Sequence, residues 1–519
     1  MTDPFRYFPH PLVRQAAEEV IQRISGSATL KEAFSEGKML GVLVTSESPL
    51  TYIAAFSGNV GGKSQIDGFV PPVFDLTVSD GHFKQEEAEI TEINKKIIEL
   101  EQSSKLQQLN ITLETAEKER DEEIGAARTQ ISINKKKRNE LRGNISDSSR
   151  LAILIKESQH EKAELKRIKE KWVEKIRKIK EEADSFRAKI DKLRQQRATM
   201  SDNLQKWIFH QYIVHNALGE EKSIYEIFRS HNLTPPGGTG ECAAPKLLEY
   251  AYRNGLKPIA MGEFWYGESP RTAVRTHGHF YPSCTSKCGP LLGFMLKGLQ
   301  IDSPCIPVES PVTVFEDEHI IVVNKPSGMP SVPGLDGKES LLEWLRSGIG
   351  QNITSVHRLD MDTSGIMVFA KNPETALSLQ KQFEEHTIRK TYIARLSPAQ
   401  EGIRLKKGDK GTINLPLSPD YDERPRQKVD MLNGKATLTE YEVSQIHDDD
   451  SIDIVFYPHT GRTHQLRVHS AHILGLGRPI VGDMLYGGAV SEHLHLHAYK
   501  LSLKHPVHET LMEFTSDIK

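Results

Sequence analysis

The chain has 519 residues, a formal net charge of −3, 37% hydrophobic and 26% charged residues. That is room for about three domains, one of them charge-rich, and it excludes a globally basic nucleic-acid binder, so any such contact must come from local patches. No apolar run approaches the ~20 residues that span a bilayer, the opening MTDPFRYFPHPLVRQ lacks a basic-then-apolar leader, and four cysteines do not form a secreted disulfide framework; no membrane partner and a reducing, cytoplasmic setting are expected.

The first segment, 1–83, carries a helix over 12–24 and apolar runs at 39–45 and 51–56, and ends near Pro71-Pro72. Residues 84–207 differ in kind: they hold no proline, and apolar residues recur at helical spacing. One register reads Trp172, Ile176, Ile179, Ala183, Phe186, Ile190, Leu193, Arg197, Met200, Leu204, Trp207. Its steps alternate four and three, a heptad seam with one charged interruption. The first half has two shorter seams, Ile90-Ile93-Ile97-Leu100 and Leu106-Leu109-Leu113-Ala116. Between the halves lies Gly143-Asn144-Ile145-Ser146-Asp147-Ser148-Ser149, rich in turn and cap residues. Because this break falls at the midpoint, the spacing predicts an antiparallel coiled-coil hairpin of roughly 85–90 Å at 1.5 Å per residue. The rival reading is a parallel dimer of continuous helices. Lys135-Lys136-Lys137-Arg138 near the tip could meet nucleic-acid phosphate, although a solvated helix face is the plainer explanation.

Residues 208–300 return to ordinary composition, with helices expected at 207–214, 224–229 and 245–252. The hairpin therefore interrupts one α/β accessory domain made of 1–83 and 208–300, an insertion that costs little because an antiparallel arm brings its ends together. Three cysteines fall here, in Gly240-Glu241-Cys242-Ala243-Ala244-Pro245-Lys246 and in Pro282-Ser283-Cys284-Thr285-Ser286-Lys287-Cys288. This pattern weakly resembles zinc-dependent deaminase-fold domains. It departs from them in its CxxxC spacing, in Ser283 between proline and cysteine, and in Ala244 where the proton-shuttling glutamate belongs; Glu241 lies on the wrong side of Cys242 to replace it. Cys242, Cys284 and Cys288, with His277, His279 or water, could hold a structural zinc; the commoner fate of such cysteines is reduced and buried.

Residues 301–311 contain three prolines and read as a linker. From 312 the pattern alternates like strands, beginning Val312-Thr313-Val314-Phe315 and Ile320-Ile321-Val322-Val323-Asn324-Lys325-Pro326. Then comes His357-Arg358-Leu359-Asp360-Met361-Asp362-Thr363-Ser364-Gly365, an aspartate beside an arginine in a polar turn before an apolar run. Lys390-Thr391-Tyr392 follows, with Arg424-Pro425-Arg426-Gln427-Lys428-Val429, Gly461-Arg462-Thr463-His464-Gln465-Leu466-Arg467-Val468-His469, Gly482-Asp483-Met484-Leu485-Tyr486-Gly487 and Leu496-His497-Ala498. In this order the blocks resemble the RluA family of RNA pseudouridine synthases over 312–519, and the blocks around 413–417 and 424–429 resemble RluA itself.

The resemblance implies an α+β fold, a largely antiparallel mixed sheet with a central cleft, and isomerisation of uridine in RNA. Converting uridine to pseudouridine breaks the N-glycosidic bond, turns the base and joins C5 to C1′. A carboxylate suits that chemistry by attacking or stabilising the sugar; the resemblance assigns this role to Asp360, and whether it first attacks C1′ or takes the C2′ proton stays open. A buried carboxylate needs a cationic partner, and by resemblance this is Arg467. Tyr392 matches the tyrosine that stacks on the flipped base, and Arg358 the residue that helps eject it. Lys390, Arg424, Arg426, Lys428 and Arg462 are candidate phosphate contacts, each of which could equally be an ordinary exposed cation. His464 and His469 look like metal ligands in isolation; the resemblance implies a metal-free fold in which they pack. No glycine-rich phosphate cradle appears, and a redox-neutral isomerisation needs no cofactor. The partners implied are stem-loops of large-subunit ribosomal RNA, of tRNA, or of both, with the ribosome or a second copy as candidates for the arm. The alternative is an RNA-docking or chaperone protein whose synthase activity is secondary.

Overall fold

In the computed structural model the described residues are 1–5, 9–76, 81–142, 148–270, 273–302, 309–334, 337–399, 404–421 and 423–516. They divide into two compact units, Met1–Asp75 with Phe209–Lys519, and Leu76–Ile208. Among them no helix is long and apolar enough to cross a membrane.

The second unit contains helices His82–Glu101 and Ser104–Arg142, followed by the long helix Ser148–Gln211. Partners pair in opposite chain directions. Ile93, Ile97 and Leu106 pack with Ile190, Ala116 with Trp172 and Ile176, and Arg138 grips Glu161 through nitrogens at 2.7 and 2.6 Å. The helices thus lie antiparallel within one chain. The first half is not one helix: the Ser103 hydroxyl accepts from the Leu106 amide at 3.3 Å and donates to the Leu100 carbonyl at 2.9 Å. This cap starts a new helix where one apolar seam stops and the next begins. Residues 143–147 of the expected turn lie outside the described residues, as do 303–308 of the expected linker.

In the first unit a four-stranded antiparallel sheet has the order Thr51–Phe56, Lys38–Thr45, Pro258–Tyr266, Phe280–Tyr281. Helix Pro11–Ser25 buries Val13, Ala16, Ala17, Val20 and Ile24 against it. Helix Ala243–Arg253, begun at Cys242, also packs on its strands. The helix expected over 207–214 is corrected: the arm's last helix runs to Gln211, and Ile213–His215 is a strand paired with Glu221–Ser223. Its buried Val214 lies between half-exposed or exposed neighbours, the alternation of a strand and not of a helix.

From 312 on, a ten-stranded mixed sheet is antiparallel at every pairing but one. Its main path runs Lys410–Ile413, Thr439–Ile446, Ile452–Pro458, Arg389–Leu396, Leu496–Lys504, Ser364–Ala370, Ile320–Lys325, Val312–Glu316. The parallel contact joins Ser364 to His497 and Gly365 to Ala498. Only glycine fits there, because a Cβ on Gly365 would lie 2.4 Å from the Ala498 carbonyl oxygen. Ile320–Lys325 and Ser364–Ala370 are near-continuously buried because both faces are covered. Ile320, Val322, Ile366 and Val368 pack with Leu379 and Leu501, while Ile321, Val323, Met367 and Phe369 pack with Leu341, Leu345 and Leu359. A third core, around Ala394, Ile454, Phe456, Leu466 and Val468, fills the other half. Tyr392 packs against two of these three clusters, which places it at their junction.

Candidate active site

The turn that carries Asp360 is fastened from below. Lys325, fully buried, donates to the carbonyls of Pro326, Met329 and Met361 at 2.9, 2.8 and 2.8 Å. Burial pushes its ammonium down to about 7, while Asp362 and Asp360 pull the other way; three acceptors match its three donors. The buried Ser331 hydroxyl accepts from the Leu359 amide and donates to the Leu359 carbonyl. Ser327 donates to the Asp362 carbonyl at 2.7 Å, and the Thr363 amide to that of Asp360 at 3.1 Å. With its backbone so held, Asp360 presents a side chain that is 19% exposed to the cleft.

The opposite wall comes from 458–467. Helix Gln465–Ala471 starts from His464, whose left-handed backbone (φ 53°) turns the chain sharply. Arg467, buried in that helix, binds Asp483 through nitrogens at 2.7 and 2.7 Å. Its remaining nitrogen, Nη1, lies 3.8 Å from Asp360 Oδ2. The expected ion pair with Asp360 is therefore shared, and the tighter partner is Asp483. That carboxylate supplies the countercharge that lets a guanidinium sit dry beside the cleft. Asp483 stands in the Gly482–Gly487 block that carries the family resemblance, but the sequence assigns it no role; its pairing with Arg467 is visible only in the fold.

His464 Nε2 lies 3.9 Å from Asp360 Oδ2, and burial together with the Arg467 charge keeps the imidazole well below its ordinary range, hence neutral. Its Nδ1 is 2.9 Å from the Tyr486 hydroxyl. His469 is fully buried, hydrogen-bonded to Thr437 and Thr439, and held down at about 4 by burial. Tyr392 lines the cleft with Asp360; burial, and then the Asp360 charge, push its phenol up. Lys390 sits 3.5 Å from the Thr460 carbonyl, and burial brings it down to about 8.

Asp360, Tyr392, Arg467, Arg358, Lys390 and Arg462 line one cleft. Arg358 and Arg462 are exposed at its mouth, and Arg358 reaches the Thr463 hydroxyl at 3.4 Å. Arg424, Arg426 and Lys428 do not line it. Arg424 is exposed with its guanidinium over the Tyr421 ring at 5.0 Å, and Lys428 is half-buried on strand Gln427–Val429. Arg426 is corrected from a surface phosphate contact to an internal residue: it is 5% exposed and donates to the carbonyls of Val274 and Leu485.

The three cysteine thiols meet, with Cys288 between the other two. Contact with Cys242 and Cys284, then burial, push Cys288 up, while the hydrogen bond from Cys288 brings Cys284 down to about 7. Yet among the described residues no group of three or more His, Cys, Asp or Glu is arranged to hold a metal ion. The three are free thiols in a hydrogen-bonded chain.

The pattern of the RNA pseudouridylate synthase family matches residues 319–472. The dual-specificity RNA pseudouridine synthase RluA of Yersinia pestis is 42% identical over 211 residues, which cover 39% of this chain and 97% of the relative. That of Escherichia coli (strain K12) is 41% identical over 213 residues, 39% of this chain and 91% of the relative. Among solved structures, human RNA pseudouridylate synthase domain containing 1 aligns with 41% of this chain and 85% of its own, at 27% identity and a TM-score of 0.34.

Proposed function

The chain belongs to the RluA family of RNA pseudouridine synthases and isomerises uridine in RNA; on that premise we propose that Asp360 is the carboxylate that acts on the target nucleotide. The observation that carries this reading is the placement of Asp360 in the cleft, 3.8 Å from a guanidinium that Asp483 already holds. The fixed positive charge faces the carboxylate that works at the sugar. The N1–C1′ bond breaks, the base turns, a C5–C1′ bond forms, and the C5 proton leaves as N1 gains one. No electron is exchanged, so the reaction needs no cofactor.

Tyr392 offers its ring to the flipped uracil, replacing stacking worth ~1–3 kcal/mol. Arg358, exposed and two residues before Asp360, enters the RNA and fills the space the nucleotide leaves. Lys390 and Arg462 contact phosphate at the mouth, and Arg424 and Lys428 extend that track outside the cleft. The substrates are stem-loops of large-subunit ribosomal RNA and of tRNA. The blocks at 413–417 and 424–429 support that choice, as do the names of the relatives, which specify dual specificity. The arm would then serve as a docking element for RNA, the ribosome or a second copy.

The test is tritium release from transcripts carrying 5-tritiated uridine, one ribosomal and one tRNA. Release from both supports the dual substrate range, release from one names the class, and release from neither overturns this choice of substrates.

A further inference from the structure

Residues 274–285 of the accessory domain are built into the catalytic domain behind the cleft. Val274 belongs to the same apolar core as Leu466, Val468 and Tyr486. Arg275, 6% exposed, pairs with Glu423 and lies over the Tyr281 ring at 4.5 Å. Arg426 donates to the Val274 carbonyl at 2.7 Å and lies between two rings, 5.6 Å from that of Tyr281 and 5.1 Å from that of Tyr486. The Thr285 amide and hydroxyl both donate to the Arg424 carbonyl, at 3.2 and 3.1 Å. The approach is close enough to require glycine at 487, where φ is +82° and a Cβ would lie 2.8 Å from Thr276 Oγ1 and 2.9 Å from the Tyr281 hydroxyl.

From this joint a chain of hydrogen bonds leads to the cleft. The Gln427 amide donates to the Tyr486 hydroxyl at 2.7 Å. That hydroxyl lies 2.9 Å from His464 Nδ1 and 3.5 Å from the Gln427 carbonyl, so the imidazole nitrogen is the nearer acceptor for its proton. A neutral imidazole that accepts at Nδ1 carries its proton on Nε2, the nitrogen 3.9 Å from Asp360 Oδ2. The turn at 423–427, which sets where the Gln427 amide points, is held by Arg275 and by the Val274 carbonyl, both outside the catalytic domain.

We propose that Arg275 and Tyr281 of the accessory domain are positioning residues for the isomerisation: by bracing the 423–427 turn and Tyr486 they hold His464 with its Nε2 proton toward Asp360. The catalytic domain of this chain thus borrows part of the support for its reacting carboxylate from a domain that lies outside the matched family region. The inference rests on the reading of Asp360 given above.

The experiment is a double-mutant cycle on the full chain with a ribosomal transcript, measuring kcat and KM for Arg275→Met, Tyr486→Phe and the pair. Arg275→Met should lower kcat about tenfold with KM within about twofold, and the pair should lose little more than the larger single variant. Arg275→Lys should recover part of the loss, and Tyr281→Phe, which keeps the ring, provides a milder probe if Arg275→Met does not fold. A kcat within about twofold of wild type in folded Arg275 variants, a loss confined to KM, or effects that simply multiply would overturn the proposal. Asp360→Asn in the same series separates the two ideas. If it stays active the reading of Asp360 fails; if it is inactive while the Arg275 variants match wild type, only the positioning inference fails.

Discussion

Arg467 and Arg177 each grip a carboxylate through two guanidinium nitrogens, in opposite surroundings. Arg467 lines the cleft that holds Asp360, at 4% exposure against an aspartate at 0%. Arg177 sits on the helical arm, with both itself and Glu174 at 50%. In the cleft, water is excluded, so each charge depends on its partner, and a third nitrogen is left over to act on Asp360. On the arm, water solvates both groups, and the pair does little beyond keeping the surface soluble. Similar bonds therefore mark a site in one region and a solvated helix face in the other. Arg177 also holds a second carboxylate, Glu181, so burial is the distinguishing feature.

That comparison is broken or sharpened by substitution. Arg467→Met leaves Asp483 buried without its countercharge, so we expect a loss of about 3–5 kcal/mol in stability and pseudouridine formation below detection. Chemical denaturation and tritium release on the same protein check both parts. Tyr392→Ala removes the ring at the junction of two cores and should lower kcat by about ten- to a hundredfold, the equivalent of ~1–3 kcal/mol of stacking. Tyr392→Phe keeps the ring and should be milder; equal and complete loss in both would assign the role to the hydroxyl.

Lys390 gives a pH-dependent effect. Burial lowers its folded-state value to about 8. The ammonium is therefore present below that pH and lost as pH rises through it, so KM for RNA should climb above about 8. In Lys390→Arg, whose guanidinium stays charged, the climb should vanish. A wild-type KM flat from pH 7 to roughly 9 would remove Lys390 from the phosphate track. At the small end, Arg177→Ala should give a melting curve that overlays the wild-type one, because both partners are open to water.

The parts legible in the sequence were those with local signals. The 357–365 block places an aspartate in a polar turn ahead of a buried strand, and the described turn and strand follow it. The heptad steps of 172–207 mark the residues that face inward on the long helix, among them Trp172, Ile176, Ala183 and Ile190. What escaped was set by tertiary partners. Asp483 is 16 residues from Arg467, beyond any helical or strand period, and nothing in the sequence joins them. Arg426 stands in a basic stretch that looks like surface, yet two carbonyls, Glu423 and the rings of Tyr281 and Tyr486 enclose it. Two of those partners come from the accessory domain, about 150 residues earlier in the chain. Lys325 ends a strand-like run in the sequence, and only the fold shows three carbonyls around its ammonium.

The account turns on Asp360, and the most direct test is a single-turnover assay of Asp360→Asn with enzyme in excess over a 5-tritiated stem-loop, paired with binding of the same RNA. We expect no tritium release while affinity stays within about threefold of wild type. Release at a rate near wild type would contradict the account.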